Sequence, residues 1–548
     1  MPVSGVPAGR GFPAGTAAGP AAPAPGAGAP AQPNRRALAA RSRRRAVVVV
    51  LAVAVLFGCY WRQSLTEPIS SDGAANALQA WDMLHGNLLL HGWLLSDVSF
   101  YTTELPQYML IEALHGLGAG VVNLAAAMTY TLLVLLTALL AKGDAGGREG
   151  LTRCLLAAGI VLAPQLSATS TLLQGPDHVG TAVALLVVWL LIDRARPHWL
   201  VPVAVCITLA WIMAADPIVL LTGIMPIAVA AGARAARALA KRAEPNWHEL
   251  SLAAAAILAA VLGAIAPLLI RAAGGYTVAP VPRQIVAIGR LPGAARVTFH
   301  AALSIFGANV FGAHSAAELA FAVLHLAGGA LAAWAVCLAV LRFFRARELL
   351  IPAFAVAIVL NLGAFMLTAQ TLGATREIAA VLPLGAVLAG RLLAGPVLRV
   401  RLRPVLAVVA AGYLAALGYA AAQPSVPPMN QPLAAWLVAH RFSHGLGGYW
   451  QAGSTTLDAG ARVSVSSVGR SGGRLVPGHW ETSTLDYDPS RQYADFVVVQ
   501  DSGTYATRWL RAAAERAFGP PEQTYVVGRY TIMKWHDNLL THLGRPGR

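Results

Sequence analysis

Residues 35–62 read RRALAARSRRRAVVVVLAVAVLFGCYWR, and this stretch decides what kind of protein the chain is. Arg35, Arg36, Arg41, Arg43, Arg44 and Arg45 stand directly before the apolar run Ala46–Tyr60. A dense basic cluster on one flank of an apolar helix keeps that flank in the cytoplasm. The run ends in Cys59-Tyr60-Trp61-Arg62 without a small-residue cleavage site, so it reads as an uncleaved anchor and not as a signal peptide. Upstream, residues 1–34 are dominated by Pro, Ala and Gly. They cannot bury enough apolar area to offset ordering entropy and are expected to form a disordered cytoplasmic tail.

Downstream, further apolar runs fall near 119–141, 151–168, 178–193, 198–214, 217–233, 250–270, 316–340, 349–370, 378–394 and 404–422. Several approach the roughly 20 residues a helix needs to cross hydrocarbon. No alternating barrel pattern is present, so helices are the spanning elements. The reading is an all-α polytopic membrane domain over residues 35–423, with about eleven transmembrane helices and a long first outer loop at 62–118. Threaded from a cytoplasmic start, the inner segments contain Lys142/Arg148/Arg153, Arg194/Arg196, Arg234/Arg237/Lys241/Arg242, Arg342/Arg345/Arg347 and Arg399/Arg401/Arg403. The outer segment 62–105 holds Glu67, Asp72, Asp82, Asp97 and Glu104 against Arg62 alone. This alternation places the chain in the plasma membrane as a multi-pass protein, N-terminus cytoplasmic and C-terminal region extracytoplasmic. It also accounts for the net charge of +16 without nucleic acid as a partner. One outer segment departs from the pattern: 271–315 contains Arg271, Arg283, Arg290 and Arg296 and no acid.

Residues 424–548 change character, gaining Ser, Thr, Asp, Tyr and Trp. Gln431–Phe442 reads as a helix ended by Gly445, Gly447 and Gly448, Arg462–Val468 and Phe496–Val499 as strands, Tyr505–Phe518 as an amphipathic helix, and Tyr525–Trp535 as β-rich. This is a small extracytoplasmic α/β domain. The cysteines, Cys59, Cys154, Cys206 and Cys337, all fall within predicted spans, so no disulfide supports it. His440 and His444, four apart, would share a face if the helix continued, but no third metal ligand lies near.

Ionisable groups near membrane depth are functional candidates. Asp72 follows the first span, Asp177 lies in Gln174-Gly175-Pro176-Asp177-His178 where a later span begins, and Asp216 precedes Pro217 between two spans. The threading puts all three on the outer face. Each also has a plain structural reading, since a carboxylate at a helix start accepts orphan backbone N–H groups. His178 beside Asp177 is either a phosphate ligand or a structural histidine. Between them in sequence lies Gly73–Leu84, whose apolar residues Ala77, Leu78, Trp81 and Leu84 recur at helical spacing, as in a helix lying along the interface. Trp93, Phe100 and Tyr101 then mix with Asp97, Thr102, Thr103 and Glu104. Rings with acids and hydroxyls suit a sugar, with Tyr101 and Glu104 as contacts. They equally suit an aromatic belt at the headgroups.

The long outer loop with an acid just after the first span, the interfacial helix and the turn Met83-Leu84-His85-Gly86-Asn87 resemble the GT-C superfamily of membrane glycosyltransferases. The protein mannosyltransferase and aminoarabinose transferase branch is the nearest in pattern. Asp177 at a later outer helix start fits, and so does Thr375-Arg376-Glu377-Ile378 leading to Pro383. Gly447-Gly448-Tyr449-Trp450-Gln451 and Val527-Gly528-Arg529-Tyr530-Thr531 are similar to the outer domain of a subgroup from high-GC Gram-positive bacteria. The resemblance implies inverting transfer of a sugar from a polyprenyl-phosphate donor to a cell-envelope glycan, lipid or protein acceptor at the outer face. Asp72 would be the base. A leaving phosphate calls for positive charge, and Arg283, Arg290, Arg296 and Arg376 are the outer-face residues that could supply it. Asp177, His178 and Asp216 join them as donor-binding candidates. Many members of that superfamily carry two adjacent acids where this chain has Asp72-Gly73, which puts in doubt whether Asp72 and Asp177 hold a divalent cation such as Mg or Mn. The competing reading is a non-enzymatic lipid or glycan transporter or an envelope scaffold. A transporter would place polar residues in mid-span, and Asn123 and Asn361 are the main ones.

Overall fold

The apolar runs fold as helices. The computed structural model describes residues 35–175, 177–282, 284–368, 370–399 and 403–543, so the tail 1–34 and Arg283 lie outside the described residues. Met1–Val53 is a unit by itself, helical from Arg35 onward. Ala54–Arg548 forms a second unit and carries everything described below.

A helix stands at every run read as a span, from Gly120–Lys142 to Arg403–Ala421. Among the described residues seven helices are long and apolar enough to cross a membrane, and eight spans result if Gly147–Leu162 and Leu166–Leu172, bent by 79°, count as one. The chain is a multi-pass membrane protein. The expected count of about eleven depends on shorter helices such as Leu200–Ala215, whose 16 residues rise about 24 Å against a core of about 30 Å. Val381–Arg399 is the central helix, with most of its residues buried from Val381 to Ala394. It can lie there because of Gly390. A Cβ at that position would meet the carbonyl oxygen of Arg153 at 2.7 Å and the Ala141 methyl at 3.0 Å. Small residues set how closely membrane helices approach.

The segment 62–118 contains helix Ser71–Leu84, strand Trp93–Leu95 and helix Leu105–His115. Ser70 caps the first of these by accepting from the Gly73 N–H at 3.1 Å. The Asp72 carboxylate is thereby spared for other partners. The helix does not lie open along a membrane surface. Ser71, Gly73–Ala77, Gln79, Ala80 and Met83 are buried, because Leu105–His115, Gly120–Lys142 and a tail helix, Tyr449–Asp458, pack around it. The turn at Met83–Asn87 is a structural staple: the Asp82 carboxylate accepts from Asn87 Nδ2 at 2.6 Å and from Trp93 Nε1 at 2.8 Å.

The tail is built on a six-stranded sheet in the order Arg474–Pro477, Ser464–Ser471, His444–Gly447, Phe496–Gln500, Tyr530–Lys534, Gln523–Val527. His444–Gly447 pairs parallel with both neighbours, and the outer pairs are antiparallel. Residues of Phe496–Gln500 alternate between two cores. Phe496 and Val498 pack with Leu433 and Leu437 of helix Gln431–Ala439, while Val497 and Val499 pack with Leu510 and Ala513 of helix Arg508–Phe518. The helix at 431 ends at Ala439, and His444 belongs to a strand, so the His440–His444 spacing puts no two ligands on one helix face. Gly448, read from sequence as part of a helix stop, is the N-cap of Tyr449–Asp458.

A second, three-stranded sheet ties distant segments together. Trp93–Leu95 pairs parallel with Thr277–Val278 and antiparallel with Thr482–Ser483. The segment 62–118, the segment after helix Trp247–Ala272 and the tail are thus joined by backbone hydrogen bonds at one place.

Candidate active site

That junction brings the candidate acids and one arginine together. Arg376 sits on a 3₁₀ turn, Leu372–Ile378, anchored by the buried Ile378 and by Asn361, whose Nδ2 donates to the Glu377 carbonyl at 3.2 Å. Its guanidinium donates from one terminal nitrogen to Asp177 Oδ2 and from the other to Asp72 Oδ2, both at 2.8 Å. Asp72 and Asp177 are 105 positions apart in sequence and share one cation. The remaining oxygens are also engaged. Asp177 Oδ1 accepts from Asn76 Nδ2 at 3.2 Å, one helical turn after Asp72. Asp72 Oδ1 accepts from the Tyr449 hydroxyl at 2.5 Å. That hydroxyl also touches Glu481 Oε2.

Behind this layer His178 Nδ1 meets Asp216 Oδ2 at 2.7 Å. Asp216 Oδ1 accepts the Ile218 N–H at 3.0 Å, so it caps the next turn and holds the histidine at once. Phe100, in the left-handed region at φ +49°, turns the segment 62–118 onto the end of helix Leu200–Ala215 and lays its ring against His178. Glu104, fully buried, is pushed up to about 8 by burial, with the negative charges of Asp216 and Asp177 adding to the effect and the Thr103 hydroxyl opposing it. Asp177 is likewise raised, chiefly by burial, against the pull of Arg376.

Asp72, Asp97, Phe100, Asp177, His178, Arg376, Trp480 and Glu481 line a cavity of about 50 Å³. That volume holds a few waters. Arg376 has five N–H donors and spends two on the carboxylates, so three remain for a ligand. On the other side of the Arg376 turn, Arg296, His300, Ser170, Thr171 and Thr375 line a larger cavity of about 530 Å³.

The other sequence candidates fall elsewhere. Tyr101 donates to the Leu88 carbonyl at 2.7 Å and packs on Tyr276, which takes it away from the carboxylates. Arg290 is exposed at the start of helix Leu291–Ile305. Glu104 lies beneath the His178–Asp216 pair and lines neither cavity. Asn123 donates to the Ser64 carbonyl at 3.1 Å, a helix-pinning role like that of Asn361. Sequence reasoning missed Asn76 and Glu481. Asn76 was legible only as a neighbour of Asp72 at helical spacing. Glu481, held at φ +45°, carries no motif.

Among the described residues, no three or more of His, Cys, Asp and Glu are grouped to hold a metal ion. Asp72 and Asp177 could take a divalent cation only after Arg376 withdrew, because every oxygen of the pair already accepts from Arg376, Tyr449 or Asn76. As arranged, the set does not fit a resident cation. A second acid at Gly73 would need Val122 to give way, since a Cβ there would lie 3.0 Å from Val122 Cγ1 and 3.4 Å from the Gln174 carbonyl oxygen.

No protein-family model matches the sequence, and no curated protein matches it either. Solved structures do. The crystal structure of ArnT, an aminoarabinose transferase from Cupriavidus metallidurans, bound to undecaprenyl phosphate aligns with TM-score 0.53 at 14% identity, over 92% of this chain and 99% of that one. Its apo form aligns with TM-score 0.50 at 16% identity, over 92% and 100%. The chain shares the fold of these ArnT structures. With this coverage the shared fold runs through both the bundle and the strand-containing tail. An Archaeoglobus fulgidus oligosaccharyltransferase, in a complex with Zn and sulfate, aligns more loosely, with TM-score 0.46 at 13% identity over 88% of this chain and 72% of that one.

Proposed function

We propose that this chain is an inverting glycosyltransferase that moves a sugar from a polyprenyl-phosphate donor to an acceptor at the outer face of the plasma membrane. The reading rests on one observation above the others: Arg376 joins Asp72 and Asp177 at the edge of a single cavity. The GT-C fold supports it, and so does the undecaprenyl phosphate held by ArnT, a lipid phosphate of the class proposed here as donor. The N-terminus would be cytoplasmic, the tail 424–548 extracytoplasmic.

In this reading Asp72 takes the proton of the acceptor hydroxyl as its oxygen attacks the anomeric carbon. The sugar–phosphate bond breaks on the opposite face, so the configuration inverts. Negative charge grows on the leaving phosphate, and the N–H groups of Arg376 not spent on carboxylates receive it. Bidentate arginine suits phosphate geometry. The lipid phosphate approaches along the cavity lined by Arg296 and His300. His178 and Asp216 hold the Asp177 side of the site in place. A cavity of about 50 Å³ admits no sugar ring, so binding requires Arg376 or the Trp480–Glu481 edge to move. The acceptor is a glycan, lipid or protein of the cell envelope.

The test is Asp72→Asn assayed in membranes with labelled polyprenyl-phosphate sugar. Loss of a general base lowers the rate by about 10²–10⁴-fold. Transfer at the wild-type rate would remove Asp72 from the role of base.

A further inference from the structure

Tyr449 and Glu481 come from the tail, yet they touch the proposed base. The Tyr449 oxygen lies within hydrogen-bond reach of two carboxyl groups, Asp72 Oδ1 at 2.5 Å and Glu481 Oε2. A phenol has one proton to donate. Both contacts can be hydrogen bonds only if one of the two carboxyls brings a proton of its own. Arg376 pairs directly with Asp72 and makes it the charged member. The extra proton therefore belongs to Glu481, which donates to the phenol oxygen while the phenol donates to Asp72. Burial also favours the neutral form of Glu481, and the nearby charge of Asp72 adds to it.

Glu481 stands between two cavities. One is the site cavity it shares with Asp72, Asp177 and Trp480. The other, also about 50 Å³, is lined by Glu481, Tyr449, Asp486 and hydroxyls such as Ser71, Ser466 and Thr482. A cavity with this lining has the polar partners that ordered waters need. Asp486 on its wall is raised to about 7 by burial and by the charge of Asp82, which suits a group that takes up and gives up protons near neutral pH. Glu481 is held at φ +45°, a conformation costly for a residue with a side chain. Its neighbours Thr482–Ser483 are locked to Trp93–Leu95 by strand pairing.

We infer that Asp72, Tyr449 and Glu481 form a proton relay that discharges the acceptor's proton into the hydroxyl-lined cavity on the tail side. The inference rests on the reading of Asp72 as base. The steps balance. Asp72 gains the acceptor proton as the new glycosidic bond forms. Glu481 releases its own proton to water in the second cavity. Asp72 then passes its proton to the Tyr449 oxygen as the phenol proton moves to Glu481. The resting arrangement returns, with one proton in, one out, and Arg376 facing the same charge as before. Tyr449 and Glu481 act through Asp72 and are positioning residues for it.

Two measurements test this on the full-length protein. The first needs no substrate: infrared difference spectra at neutral pH between wild type and Glu481→Gln. The expected result is loss of a protonated-carboxyl band, with the same band retained in Asp72→Asn and shifted in Tyr449→Phe. No difference in the carboxyl region between wild type and Glu481→Gln overturns the relay, whatever Asp72 does. The second uses labelled polyprenyl-phosphate sugar in membranes. Glu481→Gln keeps the hydrogen bond to Tyr449 but cannot release a proton. It should retain a first turnover equal in amount to the enzyme and then slow by about tenfold or more, with partial recovery in added formate for Glu481→Ala. An unchanged steady state overturns the inference. So does equal loss of the first and later turnovers, which is the result of a merely structural residue. If Asp72→Asn transfers normally, the base reading fails, and the infrared result still reports where the proton sits.

Discussion

Arg376 and Arg391 each bridge two carboxylates, and they lie in different parts of the bundle. Arg376 joins Asp72 and Asp177 beside the tail. Arg391, in the central helix Val381–Arg399, joins Asp193 and Glu348 and donates twice more to the Leu140 carbonyl, at 3.0 and 2.5 Å. The Arg391 side chain is 3% exposed and that of Arg376 36% exposed. Arg391 is spent on the protein and clamps three helices. Arg376 keeps donors in hand and faces a cavity with an aromatic wall. The same three-group motif is a staple in one place and a candidate site in the other. What separates them is the number of donors left over, not the number of charges.

Substituting each arginine by methionine should break the comparison open, and here the largest effects are expected. Arg376→Met should cut transfer by about 10²-fold or more, with a modest change in thermal midpoint because Asp72 keeps Tyr449 and Asp177 keeps Asn76. Arg391→Met strands the Leu140 carbonyl, leaves Asp193 to Arg194 Nε at 3.4 Å, and should cost about 3–5 kcal/mol. Protein that still folds should turn over normally. Thermal unfolding in detergent and transfer in membranes, measured on both variants, separate the two roles. If both lose stability equally and activity equally, the distinction between staple and site is void.

The same contrast explains how much could be read in advance. Asp72, Asp177, Asp216 and Arg376 all stand where an apolar run begins or ends, and hydropathy marks such positions. The helices and the strands at Ser464–Ser471 and Phe496–Gln500 were legible for the same reason, since periodicity reports burial. That Tyr449 and Glu481 stand beside Asp72 was not legible. Their place beside Asp72 is set by the pairing of Thr482–Ser483 with Trp93–Leu95, a contact across almost 400 positions that no local pattern encodes. Tyr101 shows the converse. Its composition context suited a sugar, but Tyr276 and the Leu88 carbonyl claim it. Neither partner could be seen from the loop alone.

Glu104 gives a smaller, pH-dependent effect and sharpens what the layer beneath the site contributes. Its folded value of about 8 lies above the usual 4.5. Between those values the folded protein holds a proton that the unfolded chain has given up. Stability should therefore fall as pH rises through that window and level off above it. Glu104→Gln should remove the share of the slope that Glu104 contributes, so the variant's thermal midpoint falls less steeply than that of wild type from about pH 5 to about pH 9, where Asp486, raised to about 7, still contributes. An identical slope in both proteins would assign the decline to another group.

The smallest expected effect concerns Gly73, where the sequence has no second acid beside Asp72. Val122 Cγ1 would stand 3.0 Å from a Cβ added there, so even a methyl needs its neighbour to shift. Gly73→Ala should destabilise by about 1–3 kcal/mol through overpacking, less the gain alanine brings inside a helix. Because Ser70 and the Gly73 N–H still form the cap, Asp72 should keep its place and transfer should change little. Gly73→Glu must push a longer side chain against Val122 and the Gln174 carbonyl, whose segment leads directly to Asp177. It should therefore lose both stability and transfer, although it adds an acid beside Asp72. A Gly73→Glu variant with higher activity would mean that the site has room for that acid and that the packing at Val122 yields.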